Sequence, residues 1–313
     1  PLDRLSKDLR NGAMVSLDDV LKTYPNLVNN PVDAIESEMT LLQRVHTRRV
    51  DPYFAYRLGL LGKMIAIATA PLRQASPAYR DLYYADVERR IEGISLIGGN
   101  RQTVDPNVYF PRVLNDANAG NEMILREYQS GTGFSGAAAV NLSNDTSRSV
   151  RAVADVFYTV LMGTAVPGNV SDRQLEGYVL DAFNFYIKRK NLEEIDDNAE
   201  RLQKIVPQTI DMRVKIGDMY FLAGLFDRAM EEYQAVKIAD PARRDVVEKI
   251  ANYNVQVGQE ALKADRLEAA LDAFSTAVDA NPLHASAERS RIEVEGLIAA
   301  RNARLATNQD VLK

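Results

Sequence analysis

The sequence of 313 residues contains no cysteine and only two histidines, His46 and His284. The absence of cysteine excludes disulfides, thiolate metal sites and cysteine nucleophiles. Neither histidine has a second ligand-type side chain at the spacing of a metal site, and no Ser–His–Asp arrangement can be argued around either of them. We therefore predict no catalytic residue, no metal ligand and no bound cofactor, and we expect that the protein is not an enzyme.

The chain also lacks a hydrophobic run long enough to cross a membrane. Its most apolar window, residues 58–72, is short and contains Lys63, so a buried helix is expected there. The sequence starts at Pro1 rather than at a methionine, as would a chain whose leader was removed, a lipoprotein without its anchoring cysteine, or a truncated chain. The compartment is therefore left open between the bacterial envelope or periplasm and the cytoplasm.

A basic excess is missing as well, because the formal net charge is −5. Nucleic-acid-binding proteins usually carry a clear basic excess, so we expect no nucleic-acid partner. Residues 1–150 are balanced in charge and the acidic surplus lies in residues 151–313, which indicates two compositionally distinct parts. A chain of this length is also long enough for two domains.

Almost every periodic stretch has helical spacing, with apolar residues recurring every three or four positions. No alternating strand pattern is found, so we predict an all-α protein. Residues 1–97 are interpreted as an N-terminal helical region. Residues 98–148 are rich in Gly, Asn, Asp and Ser, and they predict a loop-rich connection with one short helix at about 121–128. Residues 149–313 are predicted to be helical again.

Small, aromatic and proline residues recur at fixed intervals in this third part. Residues 210–243 contain Gly217, Tyr220, Ala229, Tyr233 and Pro241. Residues 251–284 contain Gly258, Ala270, Phe274, Ala277 and Pro282, with Ala261 where the first aromatic would stand. The pattern resembles the tetratricopeptide repeat, a 34-residue pair of helices. Residues 176–209 keep only Tyr186, Leu202 and Pro207 and are interpreted as a degenerate unit.

The resemblance implies a solenoid of helical hairpins in the C-terminal half, closed by a capping helix at 285–306 with a polar outer face. Small side chains would let the two helices of a unit approach closely, and the aromatic ring would fill the space beside that contact. Seven additional residues between the second and third units should lengthen the first helix of the last unit. Its buried face is predicted to contain Val246, Ile250, Val257 and Ala261.

Tetratricopeptide arrays generally bind peptides or helices of other proteins in a groove lined by the first helix of each unit. The positions that correspond to that groove are Asn184, Ile187, Lys188, Asp218, Phe221, Gln259 and Lys263. Such side chains can pair with a peptide backbone and accept apolar groups, although they could equally be ordinary exposed residues. Asp218 would repel a carboxylate, which argues against the members of the family that bind terminal carboxylates.

The resemblance therefore implies a non-enzymatic scaffold or adaptor that binds a protein or peptide partner, as part of a bacterial multiprotein assembly. The alternative is an exported or periplasmic helical protein that binds a ligand, or a lipoprotein auxiliary of a transporter. That alternative requires a closed pocket, which could lie between the N-terminal helices and residues 98–147. The oligomeric state is left open by both interpretations.

Four other motifs have simple interpretations. "GTGFSG" at 131–136 has the glycine spacing of a dinucleotide site, but no strand precedes it and no long helix is expected after it, so a loop is predicted. Residues 116–127 have the glycine of a calcium loop in the wrong place. The arginines of "RVHTRRV" at 44–50 could hold an anion, although ion pairs on a solvated helix face explain them as well. The acidic run at 193–197 suits the first turn of a helix.

Overall fold

The computed structural model describes residues 2–46, 50–163, 169–189, 192–207 and 209–311. These residues form α-helices, turns and one 3₁₀ turn at Ile91–Gly93, and they contain no β-strand. The all-α prediction is therefore confirmed. Contacts divide the chain into two compact units, Pro1–Leu175 and Glu176–Lys313.

The first unit is built from eight helices in chain order. They are α1 (Leu2–Ala13), α2 (Leu17–Thr23), α3 (Pro31–Val45), α4 (Pro52–Thr69), α5 (Pro77–Arg90), α6 (Pro106–Asn118), α7 (Asn121–Gln129) and α8 (Ala137–Met162). Proline stands in the first turn of α3, α4, α5 and α6, where its missing N–H breaks no helical bond. Asp51 and Asp105 cap α4 and α6 by accepting a backbone N–H, which explains why these helices begin where they do.

Helix α4 is the centre of the first unit and is buried along most of its length. Helix α1 crosses it at a point where both backbones are bare of side chains. A Cβ atom on Gly12 would lie 1.9 Å from the backbone oxygen of Tyr56, and one on Gly59 would lie 1.9 Å from that of Leu9. The two glycines are therefore what allows this close crossing.

The segment 98–148 is largely helical, so the prediction of a loop-rich connection was wrong. Helices α6 and α7 and the first part of α8 lie within it, although the short helix predicted near 121–128 is present as α7. The polar residues that suggested loops include Asp105, which caps α6, and Glu127, whose carboxylate accepts the first N–H groups of α8. The same residue types cap helices as form turns, and composition does not separate the two uses.

Residues 94–105, here called the strap, run without regular structure along α8. Ser147, Arg151, Asp155 and Thr159 stand four residues apart on that helix and bond to the strap. Ser147 Oγ accepts the N–H of Ile97 at 2.9 Å, Asp155 Oδ1 accepts that of Gln102 at 3.3 Å, and Thr159 Oγ1 accepts that of Val104 at 2.9 Å. Side chains of one helix thus satisfy backbone groups that would otherwise need water.

The remaining helices are α9 (Asp172–Lys188), α10 (Leu192–Gln203), α11 (Ile210–Leu222), α12 (Phe226–Ala239), α13 (Arg244–Lys263), α14 (Leu267–Ala280) and α15 (Ala285–Val311). The boundary between the two units falls within α9. Helix α11 packs against α12, and α13 against α14, as hairpins; α12 contacts α13, and α14 contacts α15. Gly224, with φ of 78°, and Asp265, with φ of 56°, make the left-handed turns between the paired helices.

Both hairpins contain the close contact that the repeat pattern predicted. A Cβ atom on Gly217 would lie 2.6 Å from the ring of Tyr233, and one on Gly258 would lie 2.6 Å from the ring of Phe274. Both rings are buried, as are Ala229 and Ala270. Glycine in the first helix therefore provides the space that the aromatic ring of the second helix occupies.

Helix α13 has 20 residues and α11 has 13, which confirms that the seven additional residues lengthen the first helix of the last hairpin. Its predicted buried face is correct for Val246, Ile250 and Ala261. It is wrong for Val257, whose side chain is 37% exposed. The ring of Phe274 packs at Gly258, so the buried face is centred on the Gly258 side of α13 and Val257 falls at its edge.

The terminal helix α15 packs on α14 through a buried face that includes Ala287 and Val294. A capping helix was predicted to have a polar outer face, and in this respect the prediction was wrong. Ile292, Leu297 and Leu305 are all exposed. Charged residues alternate with these apolar ones around α15, so the polarity of the sequence did not reveal an exposed apolar component.

Candidate functional site

A cleft of about 410 Å³ lies between α11 and α13 in the second unit, and we call it the α11–α13 cleft. It is lined by Asp218, Phe221, Leu222, Tyr233, Lys249, Asn252, Tyr253 and Gln256. Helix α11 provides one wall from its last two turns. Helix α13 provides the other, because residues separated by three, four or seven positions share one face of a helix.

Aromatic rings form the apolar side of the cleft. The ring centroid of Phe221 lies 5.1 Å from that of Phe226 and 6.2 Å from that of Tyr253, and the last two lie 5.4 Å apart. These separations are typical of favourable aromatic pairs. Phe226 remains 39% exposed and Leu222 67% exposed. A contiguous apolar surface left in contact with water beside a cleft commonly marks a binding site.

An ion pair forms the polar side of the cleft. Asp218 Oδ1 accepts hydrogen bonds from the hydroxyl of Tyr233 at 2.5 Å and from Lys249 Nζ at 2.6 Å. Burial, together with the Asp218 carboxylate, raises the pKa of the Tyr233 hydroxyl well above its ordinary value. The Lys249 ammonium also lies 5.4 Å from the centroid of the Tyr233 ring. The acid and the base that line the cleft therefore neutralise each other.

Two amide side chains, Asn252 and Gln256, lie one turn apart on the α13 wall. Asn252 Oδ1 is 3.0 Å from Nε2 of His284. The other ring nitrogen of His284 accepts the N–H of Ala287 at 3.2 Å and so caps α15. His284 therefore has a structural function at a helix end, and both amides of the cleft are exposed to solvent and able to donate and accept hydrogen bonds.

The structure brings together two of the seven residues that were predicted to line a groove, Asp218 and Phe221. The other five lie elsewhere on the second unit. Asn184 and Lys188 are exposed on α9 and Ile187 is half-buried beside them, while Gln259 and Lys263 are exposed on the last two turns of α13. Contact of any of the seven with a partner stays a prediction.

The sequence analysis missed the residues of α13 that face α11, and the reason is an offset of one insertion length. It selected Gln259 and Lys263, whereas the structure places Asn252 and Gln256 in the cleft. Each pair differs by seven residues, the number by which α13 exceeds α11. The repeat was aligned on Gly258, which faces α14, but α11 is adjacent to the earlier turns of α13. The helical spacing of Lys249, Asn252 and Gln256 was the available signal.

The glycine motif at 131–136 has no free helix end for a phosphate. It forms the turn between α7 and α8, with positive φ at Gly131 and Gly133. A long helix does follow it, contrary to expectation, but a helix rather than a strand precedes it. The N–H groups of Ala137 and Ala138 already bond to the carboxylate of Glu127. The interpretation of this motif as a connecting turn is therefore correct.

The remaining motifs contribute little chemistry in the described part of the chain. His46 ends α3 and packs against the ring of Phe54, with centroids 5.2 Å apart, and burial lowers its pKa. Arg48 and Arg49 lie outside the described residues, as do the acidic side chains of the run at 193–197. The residues that were searched contain no group of three His, Cys, Asp or Glu side chains able to hold a metal ion.

Within the described ranges, no helix combines the length and the hydropathy that crossing a bilayer requires, as predicted. Comparison of the chain with protein-family models, with curated proteins and with solved structures gave no match. Inferences about function therefore depend on the geometry of the sites themselves.

Proposed function

We propose that the second unit is a tetratricopeptide-like solenoid and that its α11–α13 cleft binds a peptide segment of a partner protein. The observation that carries this proposal is the exposed aromatic wall of Phe221, Phe226 and Tyr253, which faces a neutralised ion pair across the cleft. The paired helices and their two glycine–aromatic contacts support the solenoid. On this proposal the protein is a scaffold or adaptor.

The chemistry of the cleft favours an apolar or aromatic side chain as the anchor of the bound peptide. An anchor of this kind gains from burial against three rings and leaves the pair between Asp218 and Lys249 intact. A charged anchor would have to displace one member of that pair. A peptide's terminal carboxylate would likewise compete with Asp218 for Lys249, consistent with the exclusion argued from the sequence.

The amides of Asn252 and Gln256 complement this anchor by offering hydrogen bonds to the backbone of an extended or helical peptide. Amide side chains both donate and accept, so they suit a peptide backbone without requiring a particular side chain. Specificity on this proposal comes from the anchor, and the amides contribute orientation.

The proposal is tested by selecting peptides from a random displayed library on the wild-type protein. Binding of the selected peptides is then measured by fluorescence anisotropy for three proteins: the wild type, Phe221→Asp and Ile238→Asp. Phe221 lines the cleft, whereas Ile238 is an exposed apolar residue of α12 that does not. Circular dichroism and thermal unfolding establish that all three are folded.

We expect the selected peptides to share a large apolar residue and to lose about thirtyfold or more in affinity with Phe221→Asp, the loss typical of a central aromatic anchor. Ile238→Asp should bind like the wild type. Equal affinity of the two folded variants for every selected peptide would contradict the assignment of the cleft, and so would selection of uniformly charged peptides.

A further inference from the structure

Arg73 lies in the turn between α4 and α5 of the first unit and is only 6% exposed. Its Nη1 donates a hydrogen bond to Oδ1 of Asn118 at 3.0 Å. Its Nε is buried without a hydrogen-bond partner. Among the described residues no carboxylate pairs with this guanidinium. A buried cation without an opposite charge is unfavourable by several kcal/mol in typical proteins, at roughly the scale of a whole domain's stability.

A second buried arginine in the same unit shows the usual compensation. Arg57 is 8% exposed and forms a two-pronged pair with Glu38, with Nε 2.8 Å from Oε1 and Nη2 2.6 Å from Oε2. Burial acts to lower the pKa of Arg57, but the charge of Glu38 raises it well above the ordinary value. Burial also lowers the pKa of Arg73, and there only Tyr84 acts in the opposite direction. The two arginines are equally buried and differ in compensation.

The residue before Arg73 is conformationally strained. Leu72 has φ of 59°, the left-handed region that side chains other than Gly, Asn and Asp rarely adopt. Its N–H donates to Oδ1 of Asn121 at 3.1 Å, which holds the backbone in this conformation. Strain and an uncompensated charge therefore occur at adjacent residues, a combination that is usual at ligand sites.

Other groups suited to an anion surround Arg73. Burial raises the pKa of the Tyr84 hydroxyl to about 12, and the positive charges of Arg80 and Arg73 both oppose this shift, so the two guanidinium groups lie near that hydroxyl. Arg73 and Leu72 bond to Asn118 and Asn121, which flank the start of α7. The position before α7 is Gly120, which has no side chain to cap the helix, so the N–H groups there add further positive potential.

We propose that Arg73 is the centre of a binding site for an oxyanion, the phosphate or carboxylate group of a small ligand. The Nε–Nη2 edge of the guanidinium, which makes no hydrogen bond to the described residues, is the edge that binds two oxygens of one oxyanion side by side. The site belongs to the first unit and is independent of the α11–α13 cleft.

The experiment uses the full chain and measures thermal unfolding and calorimetric binding with inorganic phosphate and, separately, acetate, at constant ionic strength set by chloride. Arg73→Met removes the cation and keeps an apolar side chain. Asn118→Asp supplies a carboxylate within 3.0 Å of Nη1 and so compensates Arg73 from within the chain. Arg112→Met, at an exposed arginine of α6, is the matched control.

We expect phosphate or acetate to raise the unfolding temperature of the wild type and of Arg112→Met. A response to phosphate alone identifies a phosphate-bearing ligand, and a response to acetate alone a carboxylate-bearing one. Arg73→Met and Asn118→Asp should both be more stable than the wild type without an anion, and should bind the anion about tenfold to a hundredfold more weakly. This gain in stability distinguishes a ligand-binding arginine from a structural one.

The proposal is overturned if neither anion stabilises the wild type, or if Asn118→Asp responds to anions as strongly as the wild type does. It is also overturned if Arg73→Met is folded but less stable than the wild type in the absence of anions, because the arginine would then be a structural element. Should Arg73→Met fail to fold, Asn118→Asp alone decides the matter, since Asn118 is exposed and its replacement is nearly isosteric.

Discussion

Glycines at the residue scale have opposite consequences in the second unit, depending on what faces them. The position of a Cβ atom on Gly258 is occupied by the ring of Phe274, whereas no atom lies within 4 Å of one on Gly296. Helix propensity favours alanine over glycine at both places. Only the tertiary contact separates them, and the sign of the effect on stability should therefore differ.

We expect Gly258→Ala to lower the free energy of unfolding by about 1–3 kcal/mol, because the added methyl group displaces the Phe274 ring in a packed core. Gly296→Ala should raise it by up to about 1 kcal/mol. Urea unfolding measures both. Stabilisation by both substitutions would show that α13 and α14 are not in close contact at this place.

His46 is the residue from which we expect a dependence of stability on pH near neutrality. Burial lowers its pKa in the folded protein below the ordinary value of 6.5, so the unfolded chain binds the proton more tightly. Its contribution is complete above pH 6.5, where both states are neutral, and is lost as the pH falls from 6.5 toward the folded-state pKa.

The free energy of unfolding of the wild type should thus fall between pH 7.5 and pH 5.5 by more than that of His46→Gln. Urea unfolding at intervals of half a pH unit measures this difference, and carboxylates that titrate in both proteins cancel in the comparison. Parallel curves for the two proteins would contradict the assignment of this dependence to His46.

At the scale of elements, the strap at residues 94–105 depends on polar side chains of α8 rather than on packing. Leu96 and Ile97 are both 53% exposed, so little apolar burial holds the segment in place. Ser147 and Thr159 accept one backbone N–H each near its two ends, and Arg101 lies exposed between them. Local opening of the strap should therefore require breaking only a few hydrogen bonds.

We expect the double variant Ser147→Ala, Thr159→Val to be cleaved by trypsin after Arg101 about tenfold faster than the wild type, because each lost bond contributes about 1 kcal/mol. Thr276→Val is a suitable control, since Thr276 on α14 makes the same bond to its own helix that Thr159 makes on α8. Mass spectrometry of the first cleavage product is the measurement. Unchanged cleavage would mean that other contacts hold the strap.

On the scale of the whole molecule, the two units have separate cores with different modes of stabilisation. The first unit contains a buried network in which Glu38 accepts hydrogen bonds from Arg57 and Tyr24. The second contains the glycine–aromatic contacts of its hairpins. Because the two sets share no partner, their contributions to stability should be independent.

Glu38→Gln should lower the free energy of unfolding by about 3 kcal/mol or more, since it leaves the Arg57 cation buried without an opposite charge. Combined with Gly258→Ala, the two losses should add to within about 0.5 kcal/mol. Urea unfolding of the two single variants and the double variant tests this. A coupling energy well above that limit would show that the two cores are energetically linked.

Local features of the sequence sufficed for the helices of the second unit. The recurrence of glycine, alanine, aromatic and proline residues predicted the hairpins, the Gly217 and Gly258 contacts and the longer α13. The same reasoning selected Asp218 and Phe221, which line the cleft. Each of these properties depends on residues separated by a few turns of helix, so periodicity carries the information.

The remainder depends on contacts between distant residues, which no local pattern encodes. Residues 98–148 look like loops until Asp105 and Glu127 are seen to cap helices, and Gln259 and Lys263 fit the repeat although α11 faces earlier turns of α13. Arg57 and Arg73 are alike in sequence, yet one meets Glu38, 19 residues away, and the other meets the neutral side chain of Asn118. The sequence by itself determined the helices and their repeat, whereas only the tertiary structure decided which charges are compensated, because compensation depends on where the chain brings opposite charges together.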